Sequence, residues 1–248
     1  MGREFREGLL AGLPIGLGYL SVSFGIGILA IGAGFNIFEA VILSAANLTS
    51  AGQVAGIEVI AAAGGVIEII LTQLVINLRY ALMALSLSQR LDDSFRTPQR
   101  LLLSYGITDE IFAMAYAREK KVSPPYMGGM ILISAFGWVL GTFLGAAAGE
   151  ILPPAVTEAM GIMLYGMFIA IVVPVIKQDR RVLYVAAAAI ALSLLFRYVL
   201  TFVSGGFSVI ICAVAAALFG AVFFPVEDID DTDKAPANKE SVKEESLS

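Results

Sequence analysis

Long apolar runs, repeated along the chain, constrain this sequence more than any other feature. A helix needs about 20 mostly apolar residues to cross the hydrocarbon layer. Seven stretches reach that length, approximately 8–33, 37–62, 66–88, 127–148, 157–176, 182–203 and 207–225. An eighth, about 101–117, is shorter and more polar. Inside lipid every backbone N–H and C=O must be satisfied within the protein. The expected fold is therefore an all-α polytopic membrane protein, with about seven hydrophobic segments plus one polar segment able to re-enter. Composition agrees, since 58% of residues are hydrophobic and 15% charged, against about a quarter charged in soluble domains. The first run is too long for a signal-peptide core and lacks a clear small-residue cleavage site, so it is expected to be retained.

The net charge of −5 comes from the end of the chain. After Pro225, eight acids face three lysines, while residues 1–225 hold 13 acids and 13 bases. This divides the chain into a neutral membrane domain, 1–225, and an acidic tail, 226–248, expected to be disordered and solvated. Bases in short loops set orientation. Arg3 and Arg6 precede the first run, Arg90, Arg96 and Arg100 lie in 89–100, and Arg118, Lys120 and Lys121 follow 101–117. Lys177, Arg180 and Arg181 lie between the fifth and sixth runs. The loops at 33–37, 62–66, 149–157 and 203–207 carry no Lys or Arg. The expected topology has the N-terminus and tail in the cytoplasm of a cell-membrane protein. It contains a conflict, because three runs separate the basic ends 1–7 and 89–100, which requires an even number of crossings. A break in 37–62 resolves it, and the polar centre of that run, residues 44–53, is where a break is expected. Segment 101–117, with basic loops on both sides, is expected to enter and return in the same way.

Each half opens with glycines at four-residue spacing: Gly8, Gly12 and Gly16, then Gly137, Gly141, Gly145 and Gly149. Small residues so spaced share one helix face and admit a second backbone. An internal repeat with broken helices, common in secondary transporters, is one reading of the recurrence. Chance in glycine-rich membrane helices is the other.

Charges inside apolar runs narrow the function. Arg79, near the middle of 66–88, costs about 2.5–3.5 kcal/mol at the bilayer centre on insertion scales, so it should face protein or water. It reads as an anion site or gating pair, or alternatively as a structural pair with a carboxylate. Asp109 and Glu110 can partner Arg79 or carry a proton. The alternative is an interfacial cap, with Thr108 or Asp109 closing a helix that starts at Glu110. Residues 44–53 offer hydroxyls and amides that suit an unwound carboxylate site or plain helix–helix hydrogen bonds. Glu39, Glu58 and Glu68 read as interfacial, Trp138 as part of an interface belt and Cys212 as a packing residue. The chain has no histidine and one cysteine. That excludes His-ligated metals, His bases and Cys clusters. No nucleotide loop or nucleophile constellation is present, so neither an enzyme nor a cofactor is expected.

The run Pro14…Phe24-Gly25…Gly32, then Ser44…Gln53, Asn77-Leu78-Arg79-Tyr80…Ser86-Leu87 and Thr108-Asp109-Glu110…Phe112 resembles the azaleucine-resistance AzlC family of branched-chain amino-acid exporters. The resemblance covers roughly residues 3–225, with its specific motifs within 8–116. The family's phenylalanine–alanine–glycine–small–alanine–glutamine stretch is replaced here by Leu48-Thr49-Ser50-Ala51-Gly52-Gln53. The resemblance implies export of leucine, isoleucine, valine and sometimes methionine, coupling to the proton gradient and a small second membrane subunit of the AzlD type. The positions that match are Gln53, Asn77, Arg79, Asp109 and Glu110. The expected site has Arg79, or N–H groups near 47–53, on the substrate carboxylate. Asn47, Gln53 and Asn77 are expected at its polar end, and Asp109 or Glu110 on its ammonium group or the coupling proton. A non-transporting scaffold and a solute channel are the rival readings.

Overall fold

The computed structural model of the chain describes residues 2–153, 155, 166, 169, 172–177 and 179–225. Among them it is helical throughout, with no strand beyond one isolated bridge. The elements are α1 (Arg3–Gly32), α2 (Ile37–Ala46), α3 (Ser50–Ala61), α4 (Val66–Ser88), α5 (Thr97–Ser104), α6 (Asp109–Tyr116), α7 (Pro124–Ile151), α8 (Arg180–Tyr198) and α9 (Gly205–Phe223). Five of these, α1, α4, α7, α8 and α9, are long and apolar enough to cross a membrane. Most of the expected run 157–176, and the tail 226–248, lie outside the described residues.

Local chemistry sets the helix ends. Asn36 and Glu39 form a reciprocal capping box at the start of α2, two polar groups satisfying two orphan N–H groups. Ser123 caps α7 ahead of Pro124 and Pro125, where a missing N–H costs nothing. The cap of α9 is tertiary. Ser204 makes no capping bond of its own. Instead Glu68, buried on the first turn of α4, accepts from Gly206 N at 2.8 Å and Ser204 Oγ at 2.5 Å. The expected interfacial Glu68 thus ties two helices together.

α1 and α7 form the spine. Gly8 lies against the Tyr126 backbone, Gly12 against Met130, Gly16 against Gly137 and Phe24 against Gly145. Both numbers rise together, so the helices are parallel, and their glycines interlock at the spacing read from the sequence. A Cβ on Gly145 would come within 1.9 Å of Phe24 O, and one on Gly8 within 2.0 Å of Tyr126 O. Only glycine admits backbones this close. At one end Arg118 pairs with Glu4 and Glu7 at 3.5 and 3.3 Å and lies over the Tyr126 ring. There the loop after α4 also meets the loop before α7, with Asp92 N donating to Val122 O at 3.0 Å and Val122 N to Arg90 O at 2.9 Å. The basic loops 1–7, 89–100 and 118–123 therefore share one face.

This placement resolves the crossing conflict. α4 ends on the basic face, so it begins on the opposite face, where α1 ends. The segment between them leaves and returns to that opposite face. α2 and α3, about 15 and 18 Å long, are its two limbs. They are broken at 47–49, where Asn47 and Thr49 are extended. Gln53 Nε2 donates across the limbs to Ser44 Oγ at 2.6 Å. α5 and α6 form a second hairpin of two eight-residue limbs, entering from the basic face. The tips meet, with Tyr105 donating to Ala45 O at 2.5 Å.

Candidate functional site

The two tips border a cavity of about 380 Å3. Pro14, Ile15, Gly18, Tyr19 and Val22 of α1 form one wall. Leu48, Thr49 and Ser50 come from the first tip, Thr108, Asp109 and Glu110 from the second, with Tyr80 and Trp138 completing it. Both breaks point a helix N-terminus inward. At α3, Thr49 makes no side-chain capping bond, and Thr49 and Ser50 at this N-terminus line the cavity. Such a terminus carries about half a positive charge and suits a carboxylate. At α6, Thr108 is the cap, accepting from Ile111 N at 3.3 Å, and the helix starts at Asp109, one residue before the expected position.

The charged residues expected at the site converge. Arg79 Nη1 is 2.9 Å from Asp109 Oδ2, with both side chains about half exposed. Arg79 Nη2 also donates to Tyr80 Oη at 3.3 Å, and the guanidinium lies 5.0 Å from the Tyr80 ring centre. Tyr80 in turn donates to Thr49 Oγ1 at 3.2 Å. Arg79 stands behind the cavity wall, and Tyr80 and Asp109 face the space. Glu68, near the other end of the continuous α4, belongs to the cap of α9 and not to this pair. Glu110 Oε2 is 2.6 Å from Tyr19 Oη, which is 2.5 Å from Thr108 Oγ1.

The expected amide ligands fall elsewhere. Gln53 is fully buried, accepting from Trp138 Nε1 at 3.0 Å and donating to Ser44, which bonds Thr142 at 2.5 Å. This ladder locks the first hairpin to α7. Asn47 Nδ2 and Asn77 Nδ2 both donate to Gln73 Oε1, at 3.3 and 3.0 Å, and Gln73 Nε2 donates to Gly52 O at 2.7 Å. That second cluster ties the first tip to α4, and the buried Asn77 Oδ1 has no protein partner. None of the three lines the cavity.

Trp138 corrects the sequence reading. It sits in the middle of α7, 2% exposed, with its ring 5.3 Å from Tyr19 in an edge-to-face contact. α7 begins three residues before the apolar run, and Trp138 has a buried acceptor in Gln53, so it needs no interfacial water. Tyr19 was missed, and its signal was the one phenol of the first apolar run. Tyr80 was visible beside Arg79.

Helices that cross, half-helices that enter from opposite faces and a mostly apolar cavity edged by charged groups where they meet define a polytopic all-α membrane protein with a central site. The chain belongs to the AzlC family. The family model described as AzlC protein matches residues 14–152. The inner membrane protein YgaZ of Escherichia coli K12 is 30% identical over 88% of this chain and 91% of its own length. An uncharacterized membrane protein of Archaeoglobus fulgidus is 30% identical over 76% of this chain and 84% of its own length. One from Helicobacter pylori J99 is 26% identical over 60% and 65%. No solved structure matches significantly. The match starting at Pro14 contains both hairpins, α4 and α7, which build the cavity.

Proposed function

We propose that the chain is a carrier, and not an enzyme, that exports branched-chain amino acids across the cell membrane. The observation that carries the reading is the meeting of an uncapped helix N-terminus, an acidic pair and an apolar wall in one central cavity. A zwitterion with an aliphatic side chain has the same three parts. Its carboxylate would take the first-turn N–H groups of α3, which cost no reorganisation. Its ammonium group would sit at the Asp109–Glu110 end. Leucine, isoleucine, valine or methionine would place its side chain against Ile15, Val22, Leu48 and the Trp138 ring. The cavity volume of about 380 Å3 is within the range of small-molecule sites, about 300–1,000 Å3.

Transport needs the cavity open to one face at a time. Hairpins from opposite faces supply that, since retracting one tip opens one side while the other stays closed. The proton gradient is the driving force in this reading, with the basic face and both chain ends in the cytoplasm. A small AzlD-type membrane subunit completes the exporter.

Export of radiolabelled leucine, valine and methionine from loaded cells, with and without the small subunit, tests it. The expected result is saturable export with counterflow. No flux in liposomes containing both subunits would favour a scaffold. Flux far above carrier rates without counterflow would favour a channel.

A further inference from the structure

Glu68 uses only one of its oxygens to cap α9. Oε1 accepts from both Gly206 N and Ser204 Oγ, and among the described residues Oε2 receives no hydrogen bond. Thr72 lies one turn further along α4. It is 1% exposed, and its Oγ1 has no protein partner. A helical threonine can return its hydroxyl to the carbonyl four residues back, here that of Glu68, and Thr72 does not. Nor does it reach the Glu68 carboxylate on the same face of the helix. A buried hydroxyl left unpaired is costly. Both side chains line one cavity of about 80 Å3, separate from the central one and on the face opposite the basic loops.

The charge around this cavity has one sign. Glu58 and Glu68 line it, and among the described residues no Lys or Arg does. α3 ends beside it, with Ala62 and Gly64 in the lining, and a helix C-terminus is the negative end of the helix dipole. The volume is far below the range of small-molecule sites, about 300–1,000 Å3, yet above the roughly 10–15 Å3 that one water requires. Carboxylate and hydroxyl oxygens suit hard cations. Oε1 is committed to two hydrogen bonds, so Glu68 cannot chelate through both oxygens as the closing glutamate of a calcium loop does. One carboxylate oxygen and a neutral hydroxyl match a singly charged ion.

We propose that this cavity binds a single sodium ion through Glu68 Oε2 and Thr72 Oγ1, with the Glu58 carboxylate at its exposed edge. The ion joins the end of α3, the first turns of α4 and the cap of α9. It fastens the first hairpin at its base, while the other end of α3 reaches the central cavity. The proposal does not depend on the transport reading, and its test uses no amino acid.

The test is equilibrium binding of radioactive sodium to the purified full-length protein, with choline as the balancing salt. The expected result is saturable binding of one ion per chain. Thr72→Val keeps the side-chain shape without the hydroxyl and should weaken binding about tenfold, whereas Thr72→Ser should retain it. Glu68→Gln keeps an oxygen able to accept the α9 cap and should abolish binding. Melting temperatures in choline check that each variant is folded. Sodium should raise the melting temperature of wild type and leave that of Thr72→Val unchanged, which loss of a merely structural contact would not produce. Absence of saturable binding by wild type, or wild-type binding by folded Thr72→Val or Glu68→Gln, would overturn the proposal. Displacement of the label by calcium or potassium more effectively than by unlabelled sodium would overturn it as well.

Discussion

A guanidinium halfway along an apolar helix must be held at several points, and Arg79 is. Asp109 takes one nitrogen and Tyr80 another, and the Tyr80 ring takes the cation's face. A lysine is a point charge without the planar fork and cannot hold both oxygens in this geometry. Arg79→Lys should therefore reach the membrane yet export leucine at least tenfold more slowly, and Arg79→Ala should not export at all. Wild-type export by folded Arg79→Ala, measured with labelled leucine, would remove Arg79 from the machinery. A different residue carries local strain. Ala63, just past α3, has φ of 54°, a left-handed conformation that costs a Cβ-bearing residue about 1–2 kcal/mol. Ala63→Gly should raise the melting temperature in detergent, by relieving about 1 kcal/mol less the entropy glycine adds to the unfolded chain. The same scale shows where sequence reasoning stopped. Residue type identified Gln53, Asn47 and Asn77 as polar groups inside lipid. Only the rotation of each helix decides whether an amide faces a cavity or a neighbouring helix, and here it faces helices.

At the scale of elements, the glycine spacing was readable, and its partner was not. Period-four glycines in 8–16 and 137–149 predict two faces for close approach, and α1 and α7 use them on each other. Gly145→Leu would drive a side chain into the Phe24 backbone and should prevent a folded, monodisperse protein. Gly18→Ala, where an added Cβ meets nothing within 4 Å, should be tolerated, and fluorescence-detected size exclusion compares the two. The break at 47–49 was also legible. Loop charge demanded an even number of crossings, and the polar run at 44–53 offered the place. What no local signal shows is that Glu68 caps a helix more than 130 residues later in the sequence. Long-range partners have no period to betray them. Glu68→Ala should cost about 1–3 kcal/mol, the desolvation penalty of the capped groups left unpaired.

For the whole molecule, the re-entrant arrangement makes a test of sidedness. In a Cys212→Ser background, Asn36→Cys and Ala62→Cys flank the first hairpin and should be labelled by impermeant maleimide from the same side. Asp93→Cys and Lys120→Cys flank the second and should be labelled from the other. Labelling of positions 36 and 62 from opposite sides would mean that α2 and α3 cross the bilayer. The parallel spine also divides the molecule mechanically. Its seam glycines, Gly8, Gly12, Gly16, Gly137, Gly141 and Gly145, repeat every four residues and lie against backbone, so sliding α1 along α7 meets collisions until the next register, about 6 Å away. That makes the pair a fixed mast. In the proposed transport cycle, displacement would then fall to the half-helices, each a fraction of the bilayer thick. The Tyr105–Ala45 hydrogen bond joins the two tips, so a displacement of one hairpin has to break that bond or carry the other with it.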